Sequence, residues 1–195
     1  MTRTKQLWVL AGGNGAGKTT FYRTRLASVG LPFINADILA KQLYPQAPEA
    51  HSYDAARVAA ELRGQLLQEG RSFCVETVFS HPSKIDLVAQ AKTLGYEVVL
   101  IFIHLDLTSL NQARVAQRVA EGGHNVPAEK VTSRIPRVLN HIKQTLPLCD
   151  FVSILDNSRA DNPFQQVATL RNGQLECFQS SLPNWAISLL EDYLP

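Results

Sequence analysis

Short apolar runs alternate along the chain with longer stretches in which apolar residues recur every three or four positions. In the stretch 54–69, Val58, Leu62 and Leu66 lie four residues apart, which predicts one apolar face of an amphipathic helix that ends at Gly70. The continuous apolar run 96–105 is typical of a central parallel strand covered on both faces. The predicted strands are 7–11, 31–36, 72–78, 96–105 and 151–155, and the predicted helices are 17–28, 54–69, 82–94, 109–121, 128–146 and 183–193.

The order of these elements predicts an α/β fold. Alternating strands and helices form a mostly parallel sheet with right-handed crossovers and helices on both faces. Asn172-Gly173, between the short runs 166–170 and 174–178, predicts a hairpin before the closing C-terminal helix. Pro136 predicts a kink or a break in the helix that contains it. Because the chain has no repeat and no long linker, we expect residues 1–195 to form one domain.

Composition narrows the class of protein. Of 195 residues, 45% are hydrophobic and 18% are charged, which is typical of a globular domain. The net charge of +2 is too small to favour nucleic acid or an anionic membrane as the main partner. Cys74, Cys149 and Cys177 are scattered, which fits a reducing compartment and argues against a disulfide framework or a zinc site. No apolar run reaches the ~18 residues of a membrane span, so we expect a cytoplasmic protein.

The strongest motif is a glycine-rich segment between the first strand and the first helix. It reads Gly-Gly-Asn-Gly-Ala-Gly-Lys-Thr and matches G-x-x-x-x-G-K-[ST], which predicts a P-loop NTPase-type fold. Lys18 is expected to reach the β- and γ-phosphates, and the Thr19 hydroxyl to hold Mg²⁺. The alternative is a glycine-rich turn that binds nothing. The predicted nucleotide-binding residues are Gly12, Gly13, Asn14, Gly15, Ala16, Gly17, Lys18, Thr19 and Thr20.

Carboxylates follow three of the predicted strands. Asp37 could take the proton of an acceptor hydroxyl, or it could cap a helix that starts at Ile38. Glu76 ends an apolar strand, where a buried charge needs a partner, so it could bind an acceptor hydroxyl or the metal's water shell, or emerge into solvent. Asp106 is expected to cap the next helix, with assistance to Mg²⁺ as the alternative.

A basic cluster occupies the region after the fourth strand. Arg114 and Arg118 are four residues apart and so share a helix face. Phosphoryl transfer needs cations over the transferred group, so we expect an arginine lid at approximately 114–137, hinged at Gly122-Gly123. A solvated basic helix face is the alternative. The cluster also contains His124, Lys130, Arg134, Arg137, His141 and Lys143.

From the phosphate loop to Ser158 the chain resembles the zeta-toxin family of P-loop kinases in its short form. Five stretches carry the resemblance, in the family's order: 11–20, 33–37, 72–77, 118–127 and 156–158. The segment Arg-Val-Ala-Glu-Gly-Gly-His-Asn-Val-Pro is the most specific of them together with Asn-Ala-Asp and Glu-Thr. This resemblance implies a kinase that uses ATP and Mg²⁺, with UDP-N-acetylglucosamine as acceptor and an antitoxin protein as a possible partner.

The resemblance also implies roles for individual residues. Lys18 and Thr19 would bind phosphates and Mg²⁺, and Asp37 would be the base that activates the acceptor hydroxyl. Glu76 and Thr77 would belong to the acceptor site. The lid arginines would be Arg118 and Arg134, with Arg114 and Arg137 as alternates. Two other functions stay open: a kinase acting on another hydroxyl (nucleoside, antibiotic or polynucleotide), and a nucleotide-binding module that transfers no phosphate.

Overall fold

A computed structural model describes residues 4–121 and 126–194 of the chain. Its strands form one seven-stranded sheet. The strands lie in the order β2-β3-β1-β4-β5-β6-β7. Strands β1 to β5 pair in parallel, whereas β6 and β7 are antiparallel. The prediction of a mostly parallel α/β sheet is therefore confirmed. The strands are β1 (Gln6–Ala11), β2 (Phe33–Ile34), β3 (Phe73–Thr77), β4 (Glu97–His104), β5 (Phe151–Asp156), β6 (Gln165–Arg171) and β7 (Gln174–Cys177).

Helices cover both faces of this sheet. Strands β1 to β4 each lead into a helix, so the N-termini of those helices and the carboxyl ends of the strands share one edge. Ligands of such sheets bind at this edge. The helices are α1 (Lys18–Phe21), α2 (Ala36–Leu43), α3 (Ser52–Gln68), α4 (Ser83–Thr93), α5 (Thr108–Ala120), α6 (Ala128–Thr145) and α7 (Asn184–Leu190), with 3₁₀ turns at Leu146–Leu148 and Glu191–Tyr193.

The core consists of two main layers separated by the sheet. On β4, Leu100 and Phe102 face the larger layer, which also includes buried residues of α3, α4, α6 and α7. Ile101 and Ile103 face the smaller layer, against aromatic residues of the α1 region. Because alternate residues of β4 enter both layers, its apolar run is continuous, as expected for a central strand.

Three elements differ from the sequence prediction. Residues 17–28 do not form one regular α-helix, because α1 passes into a π-helical turn at Tyr22–Leu26 and a 3₁₀ turn at Ala27–Val29. Strand β2 has only two residues, because Asn35 already caps the next helix. Pro136 was predicted to kink or to break its helix, and the break is wrong: α6 runs through Pro136, with Val131, Val138 and Ile142 buried on either side. Burial of that stripe outweighs the backbone hydrogen bond that proline cannot make.

The C-terminal hairpin is confirmed. Arg171 pairs with Gln174 across a turn in which Asn172 and Gly173 both have positive φ, 49° and 79°. Two positive φ angles give the turn the twist of its flanking strands. Within the described parts of the chain, no helix is both long and apolar enough to cross a membrane.

Candidate active site

The phosphate loop, residues 12–19, joins β1 to α1 at the carboxyl edge of the sheet. Gly12 has a φ of 154°, and a Cβ there would lie 2.2 Å from the Ile103 carbonyl oxygen of β4. Gly15 has a φ of 77°, and a Cβ there would lie 2.6 Å from the carbonyl oxygen of Asn111 in α5. Side chains at these positions would displace the backbone of β4 and α5, so the motif glycines are required by close packing as well as by conformation.

Lys18 lies across this loop. Its side chain is 7% exposed, and Nζ donates to the Gly13 carbonyl at 3.0 Å. Burial lowers the pKa of Lys18 below its ordinary value, whereas the carboxylates of Glu76 and Asp37 act to raise it. The charge of Arg118 acts in the same direction as burial. Two carboxylates and one arginine from three separate elements therefore come close enough to the Lys18 ammonium to interact with it electrostatically.

Thr19 and Glu76 form the oxygen-rich part of the site. The Thr19 hydroxyl donates to the Glu76 carboxylate, whose two oxygens both lie 3.0 Å from it. Glu76 is partly buried near the end of β3, with Thr77 next to it. A hydroxyl beside a carboxylate at a phosphate loop provides the oxygen ligands that Mg²⁺ prefers. The described residues contain no cluster of three or more His, Cys, Asp or Glu that could hold a metal.

Asp37 lies in the first turn of α2, and it does not cap that helix. The cap is Asn35, whose Oδ1 accepts from the backbone N–H groups of Asp37 at 2.8 Å and Ile38 at 3.2 Å. The Asp37 side chain is exposed. The helix terminus is thus satisfied by another residue, and the Asp37 carboxylate remains available to a ligand.

The four arginines of the predicted lid have different surroundings. Arg134 Nη1 donates to Asn14 Oδ1 of the phosphate loop at 3.1 Å. Arg114 Nη2 donates to the Asn157 carbonyl at 2.9 Å, which ties α5 to the loop after β5. Arg137 is exposed, and its Nε donates to Ser133 of its own helix at 3.2 Å. The structure brings Arg118 and Arg134 to the loop, and it does not bring Arg137 there.

Two other sequence predictions have clear outcomes. The prediction that Asp106 caps α5 is wrong, because the residue before the helix is Leu107 and no side chain caps this terminus. Instead, the Asp106 backbone N–H donates to Ser158 Oγ at 2.8 Å. The Gly122-Gly123 hinge and His124 lie outside the described residues.

Asn157 was assigned no role from sequence, yet all four of its polar groups make hydrogen bonds to segments around the phosphate loop. Its side-chain Nδ2 donates to the Ala16 carbonyl at 2.9 Å, and Oδ1 accepts from the Phe164 N–H at 3.3 Å. Its backbone N–H donates to the His104 carbonyl at 2.9 Å. The residue is 5% exposed. Its position directly after the last parallel strand is the signal that could have identified it.

Asn111 is a second residue that sequence reasoning missed. It is 2% exposed in α5, and its Nδ2 donates to the Asn14 carbonyl at 2.7 Å. It lies four residues before the buried Val115, so it interrupts the apolar face of the helix. A buried amide at such a position indicates a specific partner, which here is the backbone of the phosphate loop.

Comparison with known proteins places the chain in a family. Residues 7–141 match the model of the AAA domain family. A protein of Haemophilus influenzae, described as uncharacterized, is 32% identical over 137 residues, which cover 67% of this chain and 97% of that protein.

Solved structures with low sequence identity share the fold. The AvrRxo1-ORF1:-ORF2 complex with ATP contains a chain that is similar with a TM-score of 0.71 and 20% identity, over 91% of this chain and 61% of that one. This chain thus spans about three fifths of that relative. A chain of the PezAT chromosomal toxin-antitoxin system of Streptococcus pneumoniae has a TM-score of 0.57 and 17% identity, over 82% of this chain and 70% of that one. The family match and these likenesses together establish that the chain belongs to the AAA domain family and has a P-loop kinase-like fold.

Proposed function

We propose that the chain is a phosphotransferase that moves the γ-phosphoryl group of ATP to a hydroxyl group of a small molecule. One observation carries this proposal: the Glu76 carboxylate accepts from the Thr19 hydroxyl of the phosphate loop at 3.0 Å, and the exposed Asp37 carboxylate lies in the first turn of α2 at the same edge of the sheet. A protein that only binds a nucleotide can use one carboxylate to hold Mg²⁺, whereas a kinase also needs a group that accepts the proton of the attacking hydroxyl.

The residues of the site divide the reaction between them. Asp37 accepts the hydroxyl proton as the acceptor oxygen forms a bond to the γ-phosphorus. The bond from that phosphorus to the bridging oxygen then breaks, and ADP leaves with the electron pair. Lys18, Arg118 and Arg134 stabilise the negative charge on the transferred group. Glu76 and Thr77 orient the acceptor.

Mg²⁺ fits the same site through Thr19 and Glu76, the hydroxyl and carboxylate that lie 3.0 Å apart. When bound, it would neutralise charge on the phosphate oxygens. The nucleotide itself would contact the backbone of residues 12–20, where α1 begins.

The acceptor that we favour is a sugar nucleotide such as UDP-N-acetylglucosamine, because the motif resemblance to zeta toxins points to it. The likeness to the PezAT structure further supports an antitoxin-type protein as a partner. We place this activity in the cytoplasm and in a single domain of residues 1–195, with a lid at approximately 114–137.

Substitution Asp37→Asn tests the proposed function. The amide has the same shape and cannot take the proton, so turnover should fall by about 10²–10⁴ while affinity for ATP stays the same. The measurement is phosphoryl transfer to UDP-N-acetylglucosamine beside a separate nucleotide titration. Asp86→Asn, in the first turn of α4, is the matched control and should keep full turnover.

Equal activity of wild type and Asp37→Asn would overturn the assignment of the base. Loss of ATP affinity in the same variant would mean that Asp37 serves the nucleotide or the fold. If a metabolite extract gains a phosphoryl group on another hydroxyl compound and UDP-N-acetylglucosamine gains none, the kinase assignment stands with a different acceptor.

A further inference from the structure

Phe79, in the connection between β3 and α4, has a backbone conformation that bulky residues rarely adopt. Its φ is 66°, in the left-handed region, while its side chain is 1% exposed and packs in the larger core layer. A left-handed backbone is costly for a residue with a bulky side chain, so it persists only where the surroundings enforce it. Because Phe79 lies two residues after Thr77, the contacts that enforce this conformation bear on the predicted acceptor site.

Both backbone polar groups of Phe79 make hydrogen bonds to side chains. Its N–H donates to Thr77 Oγ1 at 3.3 Å. Its carbonyl oxygen lies 3.2 Å from Nδ1 of His141 in α6. Because a carbonyl oxygen only accepts, Nδ1 of His141 carries the proton and is the donor. The left-handed turn therefore joins the end of β3 on one side to α6 on the other.

His141 is held in place by the packing of α6. Val138 lies three residues before it and Ile142 directly after it, and both are buried in the larger core layer. The Thr145 hydroxyl donates to the His141 carbonyl at 2.7 Å. The imidazole ring itself is partly exposed. Since a helix packed on the core moves little relative to the sheet, His141 offers Phe79 a donor at a fixed position.

The Thr77 hydroxyl is the group that this arrangement orients. Its oxygen accepts from the Phe79 N–H, which restricts rotation of the side chain about its Cα–Cβ bond. Among the described residues the hydroxyl donates to no group, and a threonine hydroxyl can donate while it accepts. Thr77 is partly exposed at the end of β3, next to Glu76, at the carboxyl edge of the sheet. Its proton is therefore available to a ligand bound at this edge.

We infer that His141 is a positioning residue for phosphoryl transfer: it holds Phe79 in the left-handed conformation and so keeps the Thr77 hydroxyl directed at the acceptor. The inference rests on the proposed function, in which Thr77 orients the acceptor, and it adds a residue of α6 to that task. Two hydrogen bonds in series carry the effect, from His141 to Phe79 and from Phe79 to Thr77. A donor that is oriented before binding loses little rotational freedom when the acceptor arrives, which favours binding of the acceptor.

Steady-state kinetics of the full-length protein test this role. His141→Leu keeps an apolar side chain of similar size on α6 and removes the donor to Phe79, so kcat/KM for UDP-N-acetylglucosamine should fall about two- to tenfold while affinity for ATP stays the same. His141→Asn places an amide N–H close to the position of Nδ1 and should recover most of the loss. Asn140→Leu, at the exposed neighbouring position, is the matched control and should have the kinetics of wild type. Loss of ATP affinity in His141→Leu would show a general effect on the fold and would overturn the inference.

Thr77→Val distinguishes orientation of the hydroxyl from a general effect on the fold. Valine has the shape of threonine and lacks the hydroxyl group, so Thr77→Val should lower kcat/KM at least as much as His141→Leu does. In a protein that already carries Thr77→Val, His141→Leu should cause no further loss, because the group that it orients is gone. Losses that multiply in the double variant would show that His141 acts independently of Thr77, which contradicts the inference.

Amide hydrogen exchange provides a measurement that does not depend on turnover. The Phe79 amide should exchange faster in His141→Leu than in wild type, whereas the amides of β1 should exchange equally in both. Unchanged exchange at Phe79 would show that His141 does not hold this residue, and the inference would fail. If the wild type phosphorylates neither UDP-N-acetylglucosamine nor any compound of a metabolite extract, the proposed function and the inference fail together. If the wild type is active and His141→Leu has the same kinetics, only the inference fails.

Discussion

The phosphate loop and the start of α2 differ in how many hydrogen bonds their polar side chains make. On the phosphate-loop side, Asn157 makes hydrogen bonds with all four of its polar groups, and Asn111 and Arg134 both bind Asn14. At the start of α2, by contrast, the Asp37 side chain is exposed and makes no hydrogen bond or ion pair among the described residues. The difference teaches that this fold holds the phosphate loop in place through buried hydrogen bonds, whereas it leaves the Asp37 carboxylate exposed.

Among substitutions at the phosphate loop and its contacts, Lys18→Ala is expected to lower the rate of phosphoryl transfer most. Lys18 is the charged member of the loop, and loss of a comparable electrostatic contact lowers the rate by about 10²–10³. Phosphoryl-transfer rates with a folded variant, checked by circular dichroism, give the measurement. Lys41→Ala, an exposed lysine of α2, should leave the rate unchanged. Turnover near wild type in Lys18→Ala would contradict the assignment of residues 12–19 as a phosphate-binding loop.

A smaller loss is expected from Arg134→Ala, about 10–100-fold in turnover, since one charge-assisted contact disappears. Nucleotide affinity should fall much less, because a lid arginine acts on charge that spreads in the transition state. The control is Arg137→Ala, at an exposed position one turn further along α6, which should leave turnover unchanged. Equal losses in the two variants would mean that the lid works through general positive charge, without the specific contact to Asn14.

The smallest effect in the series is on stability. Asn157→Ala leaves the Ala16 carbonyl and the Phe164 N–H without their partner, which costs about 1–3 kcal/mol. Each kcal/mol should lower the melting temperature by about 2–4 °C in a chain of this size. Calorimetry of Asn157→Ala beside Asn162→Ala, an exposed residue of the same loop, measures the difference. If both variants have the melting temperature of wild type, the hydrogen bonds of Asn157 do not stabilise the phosphate loop.

The fold and the phosphate loop were predictable from sequence because their patterns lie within short, continuous stretches of the chain. The phosphate loop is eight consecutive residues, and the hairpin turn at Asn172-Gly173 needs only two. The parallel sheet followed from strand and helix periods that each act within one element. In these places the conformation is set by neighbours in the chain, so the chain alone identifies it.

Contacts between elements that are distant in the chain were harder to predict, because these elements come together only in the fold. Asn111 and Asn157 are ordinary residues in sequence, and their role is visible only where α5 and the end of β5 meet the phosphate loop. Pro136 shows the same limit, because tertiary burial of Val131 and Val138 overrides a strong local signal. The alternative in which Asp37 caps α2 is wrong because Asn35, which suits that position equally well, takes it in the fold.

The partners of the phosphate loop have a consequence for the order in which the protein is made. Asn111 binds Asn14 across 97 residues, Arg134 binds it across 120, and Asn157 reaches Ala16 across 141. A ribosome therefore completes the loop sequence early, long before any of these partners has been synthesised. Until β5 and Asn157 have emerged, the glycine-rich segment lacks these three partners, so the nascent chain should become able to hold a nucleotide only after residue 157 has been synthesised.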